Sequence, residues 1–413
     1  MVLAQLVAWS AASAASPYRS PLDPAFSPDG KTLAVTDHTA ATVSFIDPAS
    51  RQVTASVALA GPPAGLAWAP DGKRLFVSES GAHRIAEVDV AAAKVVRHLA
   101  TGRYPRGLAL ASRRGLLVAT DSGLDQVRLI DLASGTTTAT LPTGRQPTYV
   151  AVTPDETTAL VSNLLPATAA TAADHAIDIT AVDLQTLQVK PAIRLPLGST
   201  NGRMIAISGD GATAYLAHTF GRFNLPTTQL DRGWVNTNAL SIIDVRAHKL
   251  TATVLLDQVM DGAADPWGVA VHPSGALLFV TLAGTHQVAV IDLEKLPALL
   301  QGDTGPLAND LAALYRNNLI RRVNLPVKGP RGIAVSPDGS LVAIAGYFSG
   351  AVVLCDPRAA NPVAVPLGAQ PDPDPARLGE IAFHDAGHCF QRWLSCATCH
   401  PDGRADGLNW DLL

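Results

Sequence analysis

Residues 328–339 read KGPRGIAVSPDG, in which a Pro-x-Gly turn, a short apolar stretch and a Pro-Asp-Gly turn follow one another directly. Related turns recur along the chain, and each precedes an alternating apolar stretch that closes with an aspartate. The closing aspartates are Asp47, Asp89, Asp131, Asp183, Asp244, Asp292 and Asp356. The period is about 42 residues, and the pieces between the turns are short and rich in β-branched residues, as strands are.

Seven units of about four short strands predict an all-β fold, a seven-bladed β-propeller over residues 20–368. A single blade cannot bury both of its faces, whereas blades stacked in a ring cover one another. The units resemble the YVTN-type propeller repeat, in which Pro-x-Gly-x-Ala-x-Ser-Pro-Asp-Gly precedes Val-x-Val-Ile-Asp. This resemblance implies the fold but no particular activity, because propellers serve many functions.

Composition excludes several classes of protein. The chain has 413 residues, of which 47% are hydrophobic and 16% charged, with a formal net charge of -4. Such a chain can bury a large core and lacks the basic excess that nucleic-acid partners require. No apolar run reaches the roughly 18 residues that a membrane span needs. Residues 1–19 are apolar and then small, which predicts part of a secretory signal and a periplasmic or otherwise exported protein.

The irregular units predict where other surfaces lie. Blades 4 and 5 carry extra residues at 163–178 and 218–238, and the chain leaves blade 7 after residue 368 on the same face. The extra residues of blade 6, at 307–320, have helical spacing and are expected on the opposite face. Residues 369–376 are rich in proline and predict a linker, followed by a short α-helical, cytochrome c-like segment at 377–413.

That last segment holds the motif with chemical content, Cys396-Ala397-Thr398-Cys399-His400, which is C-x-x-C-H. Two thiols on one helical turn can reach two vinyl groups of a haem, and the adjacent imidazole can bind its iron as the proximal ligand. The sequence therefore predicts one covalent haem c. A Cys3His zinc site that includes Cys389, or a disulfide, is the alternative. Cys355 falls in a strand, as a small buried hydrophobe.

Gly379, Phe383 and Asp385, followed by residues 395–400, resemble the first haem motif of the di-haem cytochrome c peroxidase/MauG family. The resemblance implies that Cys396 and Cys399 attach haem and that His400 is its proximal ligand. The second C-x-x-C-H of that family does not occur here. We therefore expect the chain to be an incomplete piece of a longer product that carries a second haem domain.

Other residues are weaker candidates. His384 and His388 share a helix face and are expected to be solvated or hydrogen-bonded rather than ligands. His38, His83, His218 and His286 take unequal positions in their repeats, so no histidine ring is predicted. Four arginines are expected on loops of the exit face, where they meet haem propionates or solvent: Arg103, Arg106, Arg145 and Arg331. The blade 5 insertion predicts a surface for docking the haem segment or a substrate, or a self-packed loop, through Arg222, Phe223, Arg232 and Trp234.

These features predict an exported haem c protein of periplasmic electron transfer, with a redox protein or a small molecule as electron donor. With a second haem, the resemblance implies a peroxidase-like or MauG-like oxidoreductase in which the propeller binds the partner. The alternative is a non-enzymatic propeller scaffold with an inactive haem segment. No catalytic residue is identified from the sequence.

Overall fold

The computed structural model describes residues 18–224 and 235–410, and these contain seven antiparallel sheets. Each sheet is one blade, and its strands follow one another from the axis of the ring to its outer edge. Blades 1 to 3 contain β1 (Pro21–Phe26), β2 (Leu33–Asp37), β3 (Thr42–Asp47), β4 (Gln52–Ala58), β5 (Pro63–Trp68), β6 (Arg74–Glu79), β7 (Arg84–Asp89), β8 (Lys94–Ala100), β9 (Pro105–Ala111), β10 (Leu116–Asp121), β11 (Gln126–Asp131) and β12 (Thr137–Pro142). The predicted seven-bladed β-propeller is confirmed.

The later blades follow the same plan with longer hairpins. Blades 4 and 5 contain β13 (Arg145–Val152), β14 (Thr158–Leu165), β15 (Asp178–Asp183), β16 (Gln188–Val189), β17 (Ile193–Arg194), β18 (Ser199–Thr200), β19 (Ile205–Ile207), β20 (Thr213–Gly221), β21 (Asn236–Asp244) and β22 (Lys249–Leu255). Blades 6 and 7 contain β23 (Pro266–Val271), β24 (Leu277–Leu282), β25 (Gln287–Asp292), β26 (Ile320–Asn324), β27 (Pro330–Val335), β28 (Val342–Gly346), β29 (Ala351–Cys355) and β30 (Val363–Pro366). Blade 1 packs on blade 7 through Leu33, Val352 and their neighbours, which closes the ring.

Helices are few among the described residues. They are α1 (Leu296–Leu299), α2 (Ala313–Arg316), α3 (Pro375–Phe383) and α4 (Cys396–Cys399). Single 3-10 turns occur at Ser80–Ala82, Ser112–Arg114, Gly305–Asn309, Ala386–His388, Phe390–Arg392 and Pro401–Gly403. None of the helices in the described ranges is long and apolar enough to cross a membrane.

The repeated turn residues build the ends of the strands. In the first repeat, Asp29 Oδ1 accepts hydrogen bonds from the Ser27 hydroxyl at 2.6 Å and from the Lys31 amide at 3.1 Å. Gly30 then adopts a φ of 71°, which glycine tolerates without strain. The closing aspartate Asp47 accepts from the Ala49 amide at 2.9 Å. The anchors recur because each turn needs the same backbone donors satisfied.

Neighbouring blades are joined at their inner strands. A hydroxyl on the second strand of one blade donates to a carbonyl in the next blade, as Ser78 does to the Arg106 oxygen at 2.7 Å and Thr281 to the Arg331 oxygen at 2.6 Å. The glycine of the Pro-x-Gly turn permits this approach, since a Cβ on Gly65 would lie 2.4 Å from the Arg106 oxygen. The apolar core lies between the blades, and inner strands such as β2 are completely buried.

One sequence-based expectation about the fold is wrong. The extra residues of blade 6 do not stay on the opposite face but follow β22, the outer strand of blade 5. Thr304 donates to the Thr251 oxygen at 2.7 Å near one end of β22, and Tyr315 donates to the Leu256 oxygen at 2.9 Å just past the other. An edge strand exposes unpaired backbone groups, and this segment covers those of β22.

Candidate functional site

The chain that leaves blade 7 lies across the axial face, the end of the ring at which the innermost strands begin. We call residues 375–410 the C-terminal segment. Its helix α3 starts at Pro375, within the predicted linker, because the Asp374 carboxylate caps it by accepting from the Arg377 amide at 2.8 Å. The Arg377 side chain is 4% exposed and donates to the Ser20 hydroxyl at 2.8 Å and the Tyr347 carbonyl at 3.2 Å. The segment is therefore packed on the ring from its first turn.

Further contacts hold the segment over blades 5 and 6. The Ala386 amide donates to the Gly284 oxygen at 2.9 Å, and the Gly262 amide donates to the Gln391 oxygen at 2.7 Å. Arg392 forms an ion pair with Asp261 at 2.6 Å. The segment contains α3, the one-turn α4 and single 3-10 turns. The described residues thus confirm helical structure here, but they do not confirm a cytochrome c-like domain.

Propeller side chains position the C-x-x-C-H turn. Ser395 caps α4 and forms a capping box with Thr398. Both hydroxyls donate at 2.6 Å to the two carboxylate oxygens of Asp265, which precedes β23. Asn201, from blade 5, donates to the Thr398 carbonyl at 2.7 Å. The cysteine turn is therefore aligned by blades 5 and 6 and not only by its own sequence.

The buried amide of Asn238 extends this contact to Trp393, two residues before Ser395. Asn238 is fully buried and donates at 2.8 Å to Asp257 and at 3.0 Å to the Trp393 carbonyl. Its own side-chain oxygen accepts from the Asp265 amide at 3.2 Å. Burial raises the pKa of Asp257 to about 6, and hydrogen bonds from Asn238 oppose the rise. We call Asn201, Asn238 and Asp265 the polar clamp.

The motif cysteines differ in exposure. Cys396 is exposed, whereas Cys399 is partly buried and accepts a hydrogen bond from Asn236 Nδ2 at 3.2 Å. Burial raises the pKa of the Cys399 thiol to about 11, so the thiol is protonated at neutral pH. All four cysteines are free, and Cys355 is buried in β29 as expected. No disulfide of the alternative interpretation is present among the described residues.

His400 has the proton arrangement that an iron ligand needs. Its Nδ1 lies 3.2 Å from the Arg404 carbonyl oxygen. A carbonyl oxygen only accepts, so this bond places a proton on Nδ1 and leaves Nε2 as the nitrogen that could bind a metal. Metal-binding histidines are usually oriented by such a second bond. The described residues contain no group of three or more His, Cys, Asp or Glu side chains placed to hold a metal.

The other candidate residues take structural positions. His384 bonds through Nδ1 to the Glu380 carbonyl at 2.9 Å, and His388 is exposed, so the expected solvated or hydrogen-bonded roles are confirmed. The four histidines tested for a ring lie apart. Of these, His218 is buried against Ser241 and His286 pairs with Asp385.

Two of the four residues predicted as a docking surface in the blade 5 insertion, Arg222 and Phe223, lie among the described residues. Arg222 is buried and donates to Asn309 Oδ1 and the Ala308 carbonyl, both at 2.6 Å, within the blade 6 excursion. Phe223 is buried against the ring of His175. Arg232 and Trp234 lie outside the described residues, so their role stays a prediction. Hydrogen bonds to the segment are made by Asn236 of this insertion, and by His175 of the blade 4 insertion, whose Nε2 bonds to the Gly407 oxygen at 2.8 Å.

The fold also creates a feature that the sequence interpretation missed. One residue from each blade, just after the first turn into the innermost strand, borders a cavity of about 260 Å³ on the ring axis. We call these residues the axial ring: Leu22, Ala64, Arg106, Thr148, Arg203, Trp267 and Arg331. Arg106, Arg145 and Arg331 belong to β9, β13 and β27, so their expected placement on loops is wrong. Alignment of the repeats on their Pro-x-Gly turns could have found this position.

Asp402, two residues after His400, enters this ring. Its carboxylate pairs with Arg106 at 2.7 Å and with Arg203 at 3.2 Å. Burial opposes ionisation of Asp402, but the two guanidinium charges outweigh it and hold its pKa well below the usual range. The Arg203 guanidinium also stacks on Trp267, 3.8 Å from the ring centroid. The C-terminal segment is therefore anchored electrostatically on the axis as well as by the polar clamp.

Taken together, fold and site define a seven-bladed propeller that carries a C-x-x-C-H turn on its axial face. No family model matches the chain. It is 31% identical over 160 residues to hydrazine synthase subunit beta of Kuenenia stuttgartiensis, a match that spans 38% of this chain and 41% of that subunit. A solved chain of Kuenenia stuttgartiensis hydrazine synthase superposes with a TM-score of 0.77 and 25% identity, over 84% of this chain and 98% of that one. The comparisons add no support for the di-haem peroxidase resemblance, which stays a prediction.

Proposed function

We propose that this chain is the propeller scaffold of an exported, multi-subunit oxidoreductase and that it carries one covalent haem c. Cys396 and Cys399 would attach the haem, and His400 Nε2 would bind its iron. The observation that carries the proposal is the polar clamp, which holds Ser395 and Thr398 at 2.6 Å each from Asp265. These hydrogen bonds fix the orientation of the turn, and with it the two thiols and the imidazole that would hold the haem.

The site residues have separable tasks in this proposal. When bound, haem c would accept and pass on one electron at a time. The clamp fixes the α4 turn, so the two sulfur atoms keep their spacing, and the Arg404 carbonyl keeps the proton of His400 on Nδ1. The Asp402 pair with Arg106 and Arg203 ties the residues after the motif to the axis. Thioether attachment lets a short segment hold haem without a deep pocket.

The similarity to hydrazine synthase subunit beta supports an oxidoreductase that works with protein partners, since that protein is named as one subunit of a synthase. The match covers 41% of the subunit, so any shared reaction, substrate or partner is a proposal. A peroxidase-like or MauG-like activity would in addition require a second haem domain. Without haem attachment, the second candidate is a non-enzymatic propeller scaffold. An open groove of about 540 Å³ on the axial face, lined by residues that include Ser80, Arg103, Tyr104 and Gln146, would favour it.

The first experiment is expression with haem c maturation machinery in a periplasm, followed by denaturing gel, intact mass and reduced absorption spectrum. We expect covalent haem and a sharp α-band in the wild type, and loss of both in the Cys396→Ser/Cys399→Ser variant. Cys389→Ser is the matched control, because Cys389 lies in the same segment outside the motif. Bare polypeptide in the wild type, with a co-expressed cytochrome c matured normally, would reject the haem proposal and favour the scaffold.

A second experiment tests His400 separately from attachment. In His400→Ala the thioethers can still form, but the reduced α-band should broaden or shift because the iron loses its proximal imidazole. His388→Ala is the control, since His388 is exposed in the same segment. An unchanged spectrum in His400→Ala would mean that another residue is the ligand.

A further inference from the structure

The axial ring collects more positive charge than the chain itself neutralises. Of its seven residues, Arg106, Arg203 and Arg331 are arginines, and all three border the same cavity of about 260 Å³. Asp402 serves Arg106 and Arg203 together. Glu380 also borders the cavity, but its carboxylate is bound to Arg377 at 2.6 Å. Asp265, at the adjoining recess, accepts from Ser395 and Thr398.

Arg331 is the arginine without a carboxylate. It is 8% exposed, and no ion pair to it occurs among the described residues. Its guanidinium lies 3.5 Å from the centroid of the Tyr347 ring and 4.5 Å from that of Trp267. Stacking on aromatic faces fixes the plane of the guanidinium, which contacts Tyr347 and pairs with no carboxylate among the described residues. A buried charge of this kind is costly unless an anion reaches it.

The histidines at the cavity supply no compensating negative charge. Burial and the nearby Arg331 charge lower the pKa of His384, and burial lowers that of His38, so the cavity disfavours a protonated histidine. Asp402 meanwhile shows which group this cluster accepts: a carboxylate held between two guanidinium groups at 2.7 and 3.2 Å. A second carboxylate at Arg331 would complete the same pattern.

We propose that the axial cavity is a binding site for a small carboxylate or similar oxyanion, with Arg331 as its principal ligand and Trp267 and Tyr347 as its apolar walls. A bidentate contact to a guanidinium is the strongest and most directional way to hold such a group. The anion has two possible sources, a free carboxylate from solvent or a propionate of haem on Cys396 and Cys399. The binding chemistry is the same, and only the second source rests on the proposed function.

The test is calorimetric titration of the full chain, purified as the haem-free Cys396→Ser/Cys399→Ser variant, with sodium acetate at pH 7. Acetamide is the neutral match of the probe, and sulfate is a second oxyanion. We expect saturable acetate binding with half-saturation at or below ~1 mM and none for acetamide. Arg331→Gln should weaken binding at least tenfold, and Arg331→Lys should weaken it less, because it keeps the charge and loses the fork.

Arg103→Gln is the matched control, since Arg103 lies on the same face but lines the neighbouring groove and not this cavity. Equal binding of acetate and acetamide, or an equal loss in Arg103→Gln, would overturn the proposal. So would the absence of saturable binding for both acetate and sulfate. If Arg331→Gln does not fold, the Arg331→Lys comparison, with melting curves, carries the test.

The haem-loaded chain then identifies the source of the anion. Loss of acetate binding on loading assigns the site to a propionate, and unchanged binding assigns it to a free anion. Both results support an anion site. If haem does not attach, the proposed function fails while the haem-free titration still decides the present inference.

Discussion

Blades 1 to 4 and blades 5 and 6 repeat the same fold but present different surfaces at the axial face. Equivalent residues with left-handed backbone lie two positions before the axial-ring residues of four blades: Tyr104 and Gln146 in blades 3 and 4, Asn201 and Asp265 in blades 5 and 6, with φ between 53° and 57°. Tyr104 and Gln146 line an open groove of about 540 Å³. Asn201 and Asp265 hold the cysteine turn instead. One repeat position therefore serves either an open surface or a clamp, depending on whether the C-terminal segment contacts it.

The backbone at this position is left-handed in all four blades, and Gln146 carries the same amide group as Asn201, so side-chain type alone does not explain the difference. Asn201 and Asp265 contact the cysteine turn, where they satisfy the Thr398 carbonyl and the Ser395 and Thr398 hydroxyls. Substitutions in the clamp and at the equivalent positions of the open side test this difference.

The largest effect is expected for Asp265→Ala. The substitution removes two 2.6 Å hydrogen bonds and leaves the buried Ser395 and Thr398 hydroxyls without acceptors. The free energy of docking of the segment should fall by about 3–5 kcal/mol. Hydrogen exchange of residues 395–403 should rise by orders of magnitude. Tyr104→Ala, at the equivalent position of blade 3, should change that exchange little. Equal effects of the two variants would show that the clamp is not specific.

Asp402→Asn should have the next largest effect. The substitution leaves Arg106 and Arg203 without a carboxylate. The expected loss in the free energy of docking is about 2–3 kcal/mol, because the pair is not fully excluded from solvent. Because the folded pKa of Asp402 is depressed, its contribution is present above its unfolded pKa of about 3.9 and is lost as pH falls through the folded value. Acid should therefore release the segment of the wild type. The measurement is hydrogen exchange of the segment as a function of pH, or its cleavage by trypsin after brief exposure to acid. In Asp402→Asn docking at pH 7 should be weaker and its acid dependence smaller; an unchanged acid profile would contradict this.

Asn201→Gly should have a moderate effect. Glycine tolerates the φ of 56° at this position, so the substitution removes mainly the 2.7 Å bond to the Thr398 carbonyl, at about 1–2 kcal/mol. Gln146→Gly is the control, at a φ of 55° in blade 4. Exchange at the Cys396–Cys399 turn should increase only in the first variant, and equal increases would remove the distinction between the two halves.

The smallest effect on docking of the segment is expected from a change outside the clamp, at Asp23, a buried carboxyl of blade 1 near the axis. Burial raises its pKa to about 7. The folded state then holds this proton more tightly than the unfolded state, so stability should fall as pH rises from about 4 to 7, the opposite sign to Asp402. Asp23→Asn should remove that dependence and raise Tm at pH 8 by roughly 2–4 °C. A Tm at pH 8 that does not exceed that of the wild type would refute this.

Much of the ring was predictable because its signals are local. The Pro-Asp-Gly turns and closing aspartates work through hydrogen bonds to residues two or three positions away, such as Asp47 to the Ala49 amide. The cysteine spacing of the C-x-x-C-H turn is also local, and α4 forms over it. The clamp was not predictable, because Asp265 and Thr398 meet only after the chain has passed through blades 6 and 7.

The amino-acid sequence by itself determined the number of blades, their order and the position of the cysteine turn, since turn chemistry and strand alternation act over a few residues. Tertiary structure alone decided which polar residues face that turn, that Arg331 lacks a carboxylate, and that the blade 6 excursion covers β22. These depend on side chains that the closing of the ring brings together from distant repeats. Pairing of charges and buried hydrogen bonds is set by proximity in space, which no single repeat encodes.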